Sequence, residues 1–410
     1  MRYVIIGNSA AAVGCVEGIR QLDSQGSITI VSKEPYHTYS RPLISYLLCG
    51  KTDAERMKYR PDDFYTRNKV TFLPGKTAEA IRPEQKTVLL DDGRELPYDR
   101  LLCATGSVPF VPPMDGLDTV EQKFTFLSLA DARAIEDAIT PKSRVLILGA
   151  GLIGLKCAEG IAGRVERITV VDLADRILSS ILDDDAAMMV QAHLEANGIR
   201  FRLSDAAERF APHTAYLKSG ASIEFDILIV AVGVRPNTAL LEAAGAAADR
   251  GAETDALCRT TLPGVYAAGD CAKSFDIAAG QARTLALLPN AYMQGECAGI
   301  NMAGGEKRYT DAIAMNAIGF FGLHMITAGC YEGESYVMRG DTTYKRLFVK
   351  DGALKGYILL GDVARAGIYT ALIRRQTPLD TVDFELLKEK PQLMAFSEAA
   401  RAEMLGGVPV

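Results

Sequence analysis

No two of the eight cysteines, at 15, 49, 103, 157, 258, 271, 297 and 330, stand at CxxC spacing. That excludes a local dithiol redox motif and a zinc site built on paired cysteines. Thiols scattered in this way are expected to be reduced and mostly buried, as in a cytoplasmic protein. Histidine is scarce: the four, at 37, 193, 213 and 324, form no cluster, so no metal site is expected. Long apolar runs are missing too. The longest, such as 227–234, have the length of a buried strand, well short of the ~20 residues a spanning helix needs. The opening MRYVIIG enters a strand pattern directly, without signal-peptide architecture. Nor is there an excess of positive charge: the formal net charge of −6 argues against nucleic acid as a partner.

What is present is ordinary globular composition, 48% hydrophobic and 23% charged, in a chain of 410 residues that is long enough for two or three domains. The 37 glycines imply many tight turns and close backbone approaches. One pattern occurs twice. Residues 3–7 (YVIIG) read as a buried strand, followed by a small-residue turn, a helix through Arg20 and a second strand over 27–32. Residues 144–149 (RVLILG) begin the same sequence of elements, with a helix to about Gly163 and a strand over 167–172. Short apolar strands alternating with helices imply parallel sheets covered on both faces. Further strands are expected over 227–232 and 264–268. The last hundred residues change character: 344–349 and 354–360, joined through Asp351-Gly352, predict an antiparallel hairpin, followed by a helix over about 363–375. The tail, 390–410, is partly helical in pattern.

The second unit carries Gly149-Ala150-Gly151-Leu152-Ile153-Gly154 between strand and helix. The first glycine makes the tight turn, the second admits a pyrophosphate, and the third lets helix pack on strand. Phosphates would lie at the helix N-terminus, where free N–H groups and the helix dipole favour anions. Asp172, at the end of the next strand, stands 18 residues after Gly154, where an acidic ribose ligand belongs. Its charge favours NAD(H) over NADP(H), while Arg176 is a residue type that can accommodate a 2′-phosphate. The first unit, Gly7-Asn8-Ser9-Ala10-Ala11-Ala12, is a degraded version with Ser9 and Ala12 in glycine positions, and Glu34 again ends a strand. Alone it reads equally well as a nucleotide site or an ordinary strand–turn–helix.

Three further stretches, YDRLLCATGSVP (98–109), FDILIVAVGVRPN (225–237) and TTLPGVYAAGDCA (260–272), complete the series. With them the whole chain resembles the FAD-dependent pyridine nucleotide–disulfide oxidoreductases, and most of all the branch of NADH:rubredoxin reductases and the flavoprotein portion of assimilatory nitrite reductases. The resemblance implies an α/β fold of two Rossmann-like dinucleotide-binding domains, for FAD and NAD, plus a C-terminal α+β domain. The expected boundaries are 1–112 and 242–314 for the FAD-binding domain, 113–241 for the NAD(H)-binding domain and 315–410 for a C-terminal interface domain. It also implies that Gly7, Ser9 and Ala12 cradle the FAD pyrophosphate and that Glu34 holds the adenosine ribose. Thr105, Gly106, Gly269 and Asp270 would lie against FAD, with Asp270 on the ribityl chain; the alternative for Asp270 is a helix N-cap. Pro289, in Leu287-Leu288-Pro289-Asn290-Ala291, would open a helix against the flavin. Gly149, Gly151, Gly154, Asp172 and Gly233 would take NADH.

The chain also departs from the family. Disulfide reductases place a reactive cysteine in the stretch occupied here by 35–43 (PYHTYSRPL), and Arg41 stands about where it would be. No histidine precedes a proline, so the proton-shuttling His-Pro pair is missing, and Cys49 has no thiol at redox spacing. Arg41-Pro42 instead resembles the RP element of rubredoxin- and ferredoxin-type reductases, with Arg41 expected near the pyrophosphate or the flavin edge. In much of the family a lysine after that element pairs with a glutamate beside the flavin N5. Here those positions hold Tyr46 and Lys156. A cation moved to Lys156 would stabilise anionic reduced flavin; an ordinary ion pair on its own helix weighs equally.

The resemblance thus implies hydride exchange between NADH and FAD, with electrons passed to a one-electron protein carrier or an iron–sulfur subunit of rubredoxin or ferredoxin type. Reversed flow would make NADH. The C-terminal domain is expected to serve that partner or homo- or hetero-oligomerisation. The alternatives are a stand-alone NADH oxidase or small-molecule reductase, and a non-catalytic FAD/NAD-binding structural or sensing subunit.

Overall fold

A computed structural model describes residues 1–404. Both units of the sequence repeat form parallel sheets. In the first, the strand order is Val265–Ala267, Arg100–Cys103, Arg2–Ile6, Ser27–Ser32, Val70–Pro74, so a strand from far along the chain returns to complete a sheet begun at residue 2. In the second, the order is Ile199–Arg202, Arg167–Val171, Arg144–Leu148, Ile227–Val230, Lys123–Phe124. Ile5, Leu102, Ile147 and Ile229, on the central strands, are completely buried, which is why these strands read as unbroken apolar runs rather than alternating ones.

The helices Ala10–Leu22 and Leu288–Met302 interlock through glycine. A methyl group at Gly14 or Gly18 would overlap the Tyr292 or Glu296 carbonyl, and one at Gly295 or Gly299 would overlap the carbonyl of Ala11 or Cys15. The absence of four side chains lets two backbones touch and seats the second helix directly over the first turn of the first. Beside this seam, Arg60 donates to both oxygens of Glu17, at 2.7 and 3.0 Å, and the Tyr292 hydroxyl donates to Glu17 Oε2 at 2.6 Å.

The C-terminal sheet is antiparallel, in the order Met315–Phe320, Leu323–Gly329, Ala353–Leu360, Tyr344–Lys350, Glu334–Arg339. The expected hairpin is there: Asp351 and Gly352 take φ of 54° and 69°, the left-handed pair that matches the twist of the flanking strands. The following helix is Ala366–Arg375; it starts three residues later than expected because Arg365 sits at φ 60°, outside helical geometry. Its Tyr369, Leu372 and Ile373 are buried in one cluster with Tyr357 and Leu359 of the sheet.

The chain divides into two compact units. One contains Met1–Ser180, Leu194–Ser274 and Ala282–Thr310, and with them both parallel sheets. The other contains Ile181–His193, Phe275–Gln281 and the chain from Asp311 onward. The segment from Ile181 is held there by polar contacts: Asp183 accepts from the Tyr344 hydroxyl at 2.6 Å and from Arg346 at 3.0 Å, and Tyr331 donates to the Ile181 carbonyl at 2.6 Å. Among the described residues no helix is long and apolar enough to cross a membrane, and no group of three or more potential ligands could hold a metal ion.

Candidate dinucleotide sites and redox centre

The two glycine turns are built alike. Gly7 and Gly149 take φ of 113° and 107°, and a methyl group on either would overlap a carbonyl of the neighbouring strand end, Ala104 or Ala231. Only glycine combines that backbone with that closeness. At Gly154 a methyl would overlap the Gly149 carbonyl, whereas at Gly151 it would meet open space. That pattern matches the separate tasks of the fingerprint, close packing for the first and third glycines and room above the second. In the first turn Ser9 is the N-cap and Ala12 is fully buried, so a residue larger than alanine would not fit there.

The helices starting at Ala10, Leu152 and Leu288, the last with Pro289 in its first turn, have no side-chain cap. Uncapped N-terminal amides beside open backbone suit phosphate and other anionic groups. Nearby, His37 Nε2 and Thr38 Oγ1 are buried without a hydrogen-bond partner. Such orphaned atoms mark a place completed by a ligand or water. The donor set and the tight glycine turns fit two dinucleotides.

The sequence-predicted residues group as follows. Thr105 donates to the Asn237 carbonyl at 2.6 Å, and Asn237 N–H donates to the Gly106 carbonyl at 2.9 Å. The strands Ser107–Pro109 and Val234–Pro236 pair there, so the signature stretches 98–109 and 225–237 clasp each other, with Gly233 at φ 124° on the clasp. Ser107 donates to Asp270 Oδ2 at 3.0 Å. Burial pushes the Asp270 carboxyl above its usual range, against the Ser107 hydrogen bond and the Arg41 charge, which hold it down. No helix begins at Asp270, so the N-cap alternative falls away. Gly269 N–H donates to Gln294 at 2.8 Å, tying that turn to the helix entered at Pro289.

Two predicted ligands have protein partners of their own. Asp172 accepts from Ala150 N–H at 2.6 Å and Ala174 N–H at 2.8 Å, so its carboxylate braces the second glycine turn from the next strand end. Glu34 forms an ion pair with Arg41 and accepts from the Tyr39 hydroxyl at 2.6 Å. Arg176 pairs with Asp175 at 3.1 Å.

Tyr46 and Lys156, at the positions of the family's lysine–glutamate pair, lie together: the ammonium is 4.9 Å from the Tyr46 ring centroid. Lys156 also forms an ion pair with Glu159, one turn on, and both side chains are nearly buried. Glu159 was not foreseen, although its i,i+3 spacing is legible. Tyr39, Ser107 and Asn8 were missed as well; Asn8 accepts from the Tyr65 hydroxyl at 3.0 Å. None carries a sequence signal, because each partner lies on another element. Two thiol contacts were equally hidden: Cys271 Sγ donates to the Cys103 carbonyl at 3.4 Å, and Cys258 Sγ donates to the Gln294 carbonyl at 3.5 Å. All eight cysteines are free thiols, and Cys49 Sγ donates to the Tyr46 carbonyl at 3.4 Å.

The sequence profile described as pyridine nucleotide-disulphide oxidoreductase matches residues 1–295. The chain belongs to that family. A second profile, the rubredoxin NAD+ reductase C-terminal domain, matches residues 315–377. As a family member the chain is an FAD-dependent NAD(H) oxidoreductase. Among curated relatives it is 34% identical to the NADH-dependent phenylglyoxylate dehydrogenase subunit epsilon of Aromatoleum evansii, over 92% of both chains. It is 30% identical to the nitrite reductase [NAD(P)H] of Bacillus subtilis (strain 168), matching 92% of this chain but only 48% of that protein. Among solved structures, a chain of the covalent putidaredoxin reductase–putidaredoxin complex superposes with a TM-score of 0.86 at 22% identity, covering 99% of this chain and 98% of that one. That likeness establishes the shared fold of two Rossmann-like domains with a C-terminal α+β domain.

Proposed function

We propose that the chain moves electrons between NAD(H) and a one-electron protein carrier or an iron–sulfur partner subunit. The observation that carries this reading is that Arg41, ion-paired with Glu34, stands about where family members with disulfide chemistry have a reactive cysteine. With no thiol there, electrons must leave for an acceptor outside the chain. Support comes from a relative that is one subunit of an NADH-dependent dehydrogenase, and from the C-terminal profile shared with rubredoxin reductases. FAD, when bound, supplies a centre that takes a hydride and releases electrons singly.

The chain's own residues bind, orient and exclude water. In this reading 1–112 and 242–314 hold FAD: Gly7, Ser9 and Ala12 at its pyrophosphate, Glu34 at its ribose, and Asp270 at its ribityl chain, where a hydroxyl can donate to the buried carboxyl group. Thr105, Gly106, Gly269, Pro42 and Pro289 shape the same cavity. Residues 113–241 hold NAD(H): Gly149, Gly151, Gly154 and Gly233 along the dinucleotide, and Asp172 at the ribose. The C-terminal residues 315–410 receive the partner or a second copy, and the protein works in the cytoplasm.

The decisive experiment reduces the purified protein anaerobically with NADH, then mixes it separately with oxygen and with a one-electron carrier protein while following the flavin spectrum. Rapid bleaching, fast reoxidation by the carrier and slow reaction with oxygen are expected. Fast reoxidation by oxygen alone would make the protein an oxidase, and no bleaching would make it a binding or sensing subunit.

Lys156 is placed beside the flavin in this reading, with Glu159 offsetting its charge. Lys156→Met removes the cation and leaves Glu159 uncompensated in a low-dielectric site, so the flavin midpoint potential should fall. The double variant Lys156→Met/Glu159→Gln should recover most of the shift. An unchanged potential in the single variant refutes the placement.

A further inference from the structure

The environment of Glu34 carries more than a ribose ligand. Tyr39 is only 8% exposed, and its hydroxyl has all three of its hydrogen-bonding positions filled. It donates to Glu34 Oε2 at 2.6 Å, and accepts from Arg41 Nη1 at 3.1 Å and from the backbone N–H of Leu129 at 3.0 Å. A phenol has one proton to give and two lone pairs to offer, so the geometry leaves it no freedom to turn. Burial raises the phenol well above its ordinary range, which keeps it a donor to Glu34. Arg41 closes the ring by pairing with Glu34 and donating to the Leu127 carbonyl at 3.3 Å.

Leu129 opens the helix Leu129–Ala138, whose N-cap Ser128 and Asp131 form a capping box. Asp131 also takes the N–H groups of Leu127 and Ser128, at 2.8 and 2.9 Å. The N–H of Leu129 remains, and Tyr39 is its acceptor. The hydroxyl thus ties a carboxylate at the end of one strand to a helix start 90 residues further along the chain.

We infer that Tyr39 is the positioning residue of the FAD adenosine site: its hydroxyl, with Arg41, aims the Glu34 carboxylate at the ribose, and Arg41 is committed to Glu34 rather than to the pyrophosphate. The inference rests on the reading that Glu34 holds the ribose. Glu34 and Arg41 offset each other, so the site selects a neutral diol by directed lone pairs and not by net charge. A carboxylate that lost the Tyr39 hydroxyl would be free to rotate against Arg41, and its discrimination for a ribose hydroxyl would fall although the charge stayed in place.

The test compares FAD with its analogue lacking the adenosine 2′-hydroxyl, by titration of apoprotein with flavin fluorescence as the readout. The wild type should prefer FAD by about tenfold, the scale of one hydrogen bond to a charged acceptor. Tyr39→Phe, which keeps the ring and its packing, should bind FAD about tenfold more weakly and bind the two flavins nearly equally. Glu34→Gln should likewise lose the preference, and Tyr39→Phe/Glu34→Gln should be no worse than either single variant. If Tyr39→Phe weakens both flavins alike and keeps the tenfold preference, its role is structural and the inference falls. Should the wild type itself show no preference, it is the ribose assignment of Glu34 that fails. Arg41→Lys separates the roles of the guanidinium: lost discrimination fits the commitment to Glu34, whereas an equal loss of affinity for both flavins would place Arg41 on the pyrophosphate.

Discussion

Gly149→Val is expected to give a protein that keeps its flavin but is no longer reduced by NADH at a useful rate. Two costs coincide at this position. The backbone φ of 107° is one that a β-branched residue does not adopt, and the first side-chain carbon would overlap the Ala231 carbonyl. The turn must therefore move, and with it the amides of Ala150 and Gly151 that lead into the helix Leu152–Ile161. Asp172 is affected too, because it is bonded to the Ala150 N–H. A loss of about 3 kcal/mol in NADH binding, from strain and displaced donors together, corresponds to a fall in kcat/KM for NADH of roughly a hundredfold. Stopped-flow reduction of the flavin by NADH measures it, and dithionite reduction of the same sample shows that the flavin remains competent. Near wild-type reduction by NADH would place the nucleotide elsewhere.

The second large effect is expected at the helix seam. In Gly295→Leu the new side chain has nowhere to go: its first carbon would overlap the Ala11 carbonyl, a backbone atom within the first helix turn after Ser9. Overpacking that a rotamer change can relieve costs 1–3 kcal/mol; backbone against backbone cannot be relieved in that way, so a loss on the order of 3 kcal/mol or more is expected. The helices Ala10–Leu22 and Leu288–Met302 must separate, and the uncapped N-terminus at Ala10 and the Gly269 turn held by Gln294 move with them. The variant should purify colourless, with a lowered thermal midpoint and little recovery of flavin on incubation with excess FAD. Gly163→Leu is the control: its surroundings are open and its φ is not positive. It should retain FAD. A yellow Gly295→Leu of normal stability would mean that the seam does not set the cofactor site.

Much of this molecule was legible before folding. The strand-turn-helix units around Gly7 and Gly149, the paired sheets and the Asp351-Gly352 hairpin follow from short-range chemistry, in which apolar run length, glycine at a positive φ and small residues in a turn all act within a few positions. The family motifs placed Asp172, Glu34 and Asp270 at strand ends and turns correctly.

Sequence alone therefore determined the elements, their α/β class and the residue types available for two dinucleotides, because those depend on local periodicity and spacing. Tertiary structure decided who touches whom. It bonded Asp172 to the Ala150 N–H, gave Arg41 to Glu34, set Glu159 on Lys156, and put the Tyr39 hydroxyl at a helix start 90 residues away. It also brought the Cys271 thiol to the Cys103 carbonyl, which no spacing announces. A hydrogen bond or ion pair needs two atoms within a few ångströms, and where the partners lie on different elements only the packing of those elements brings them together.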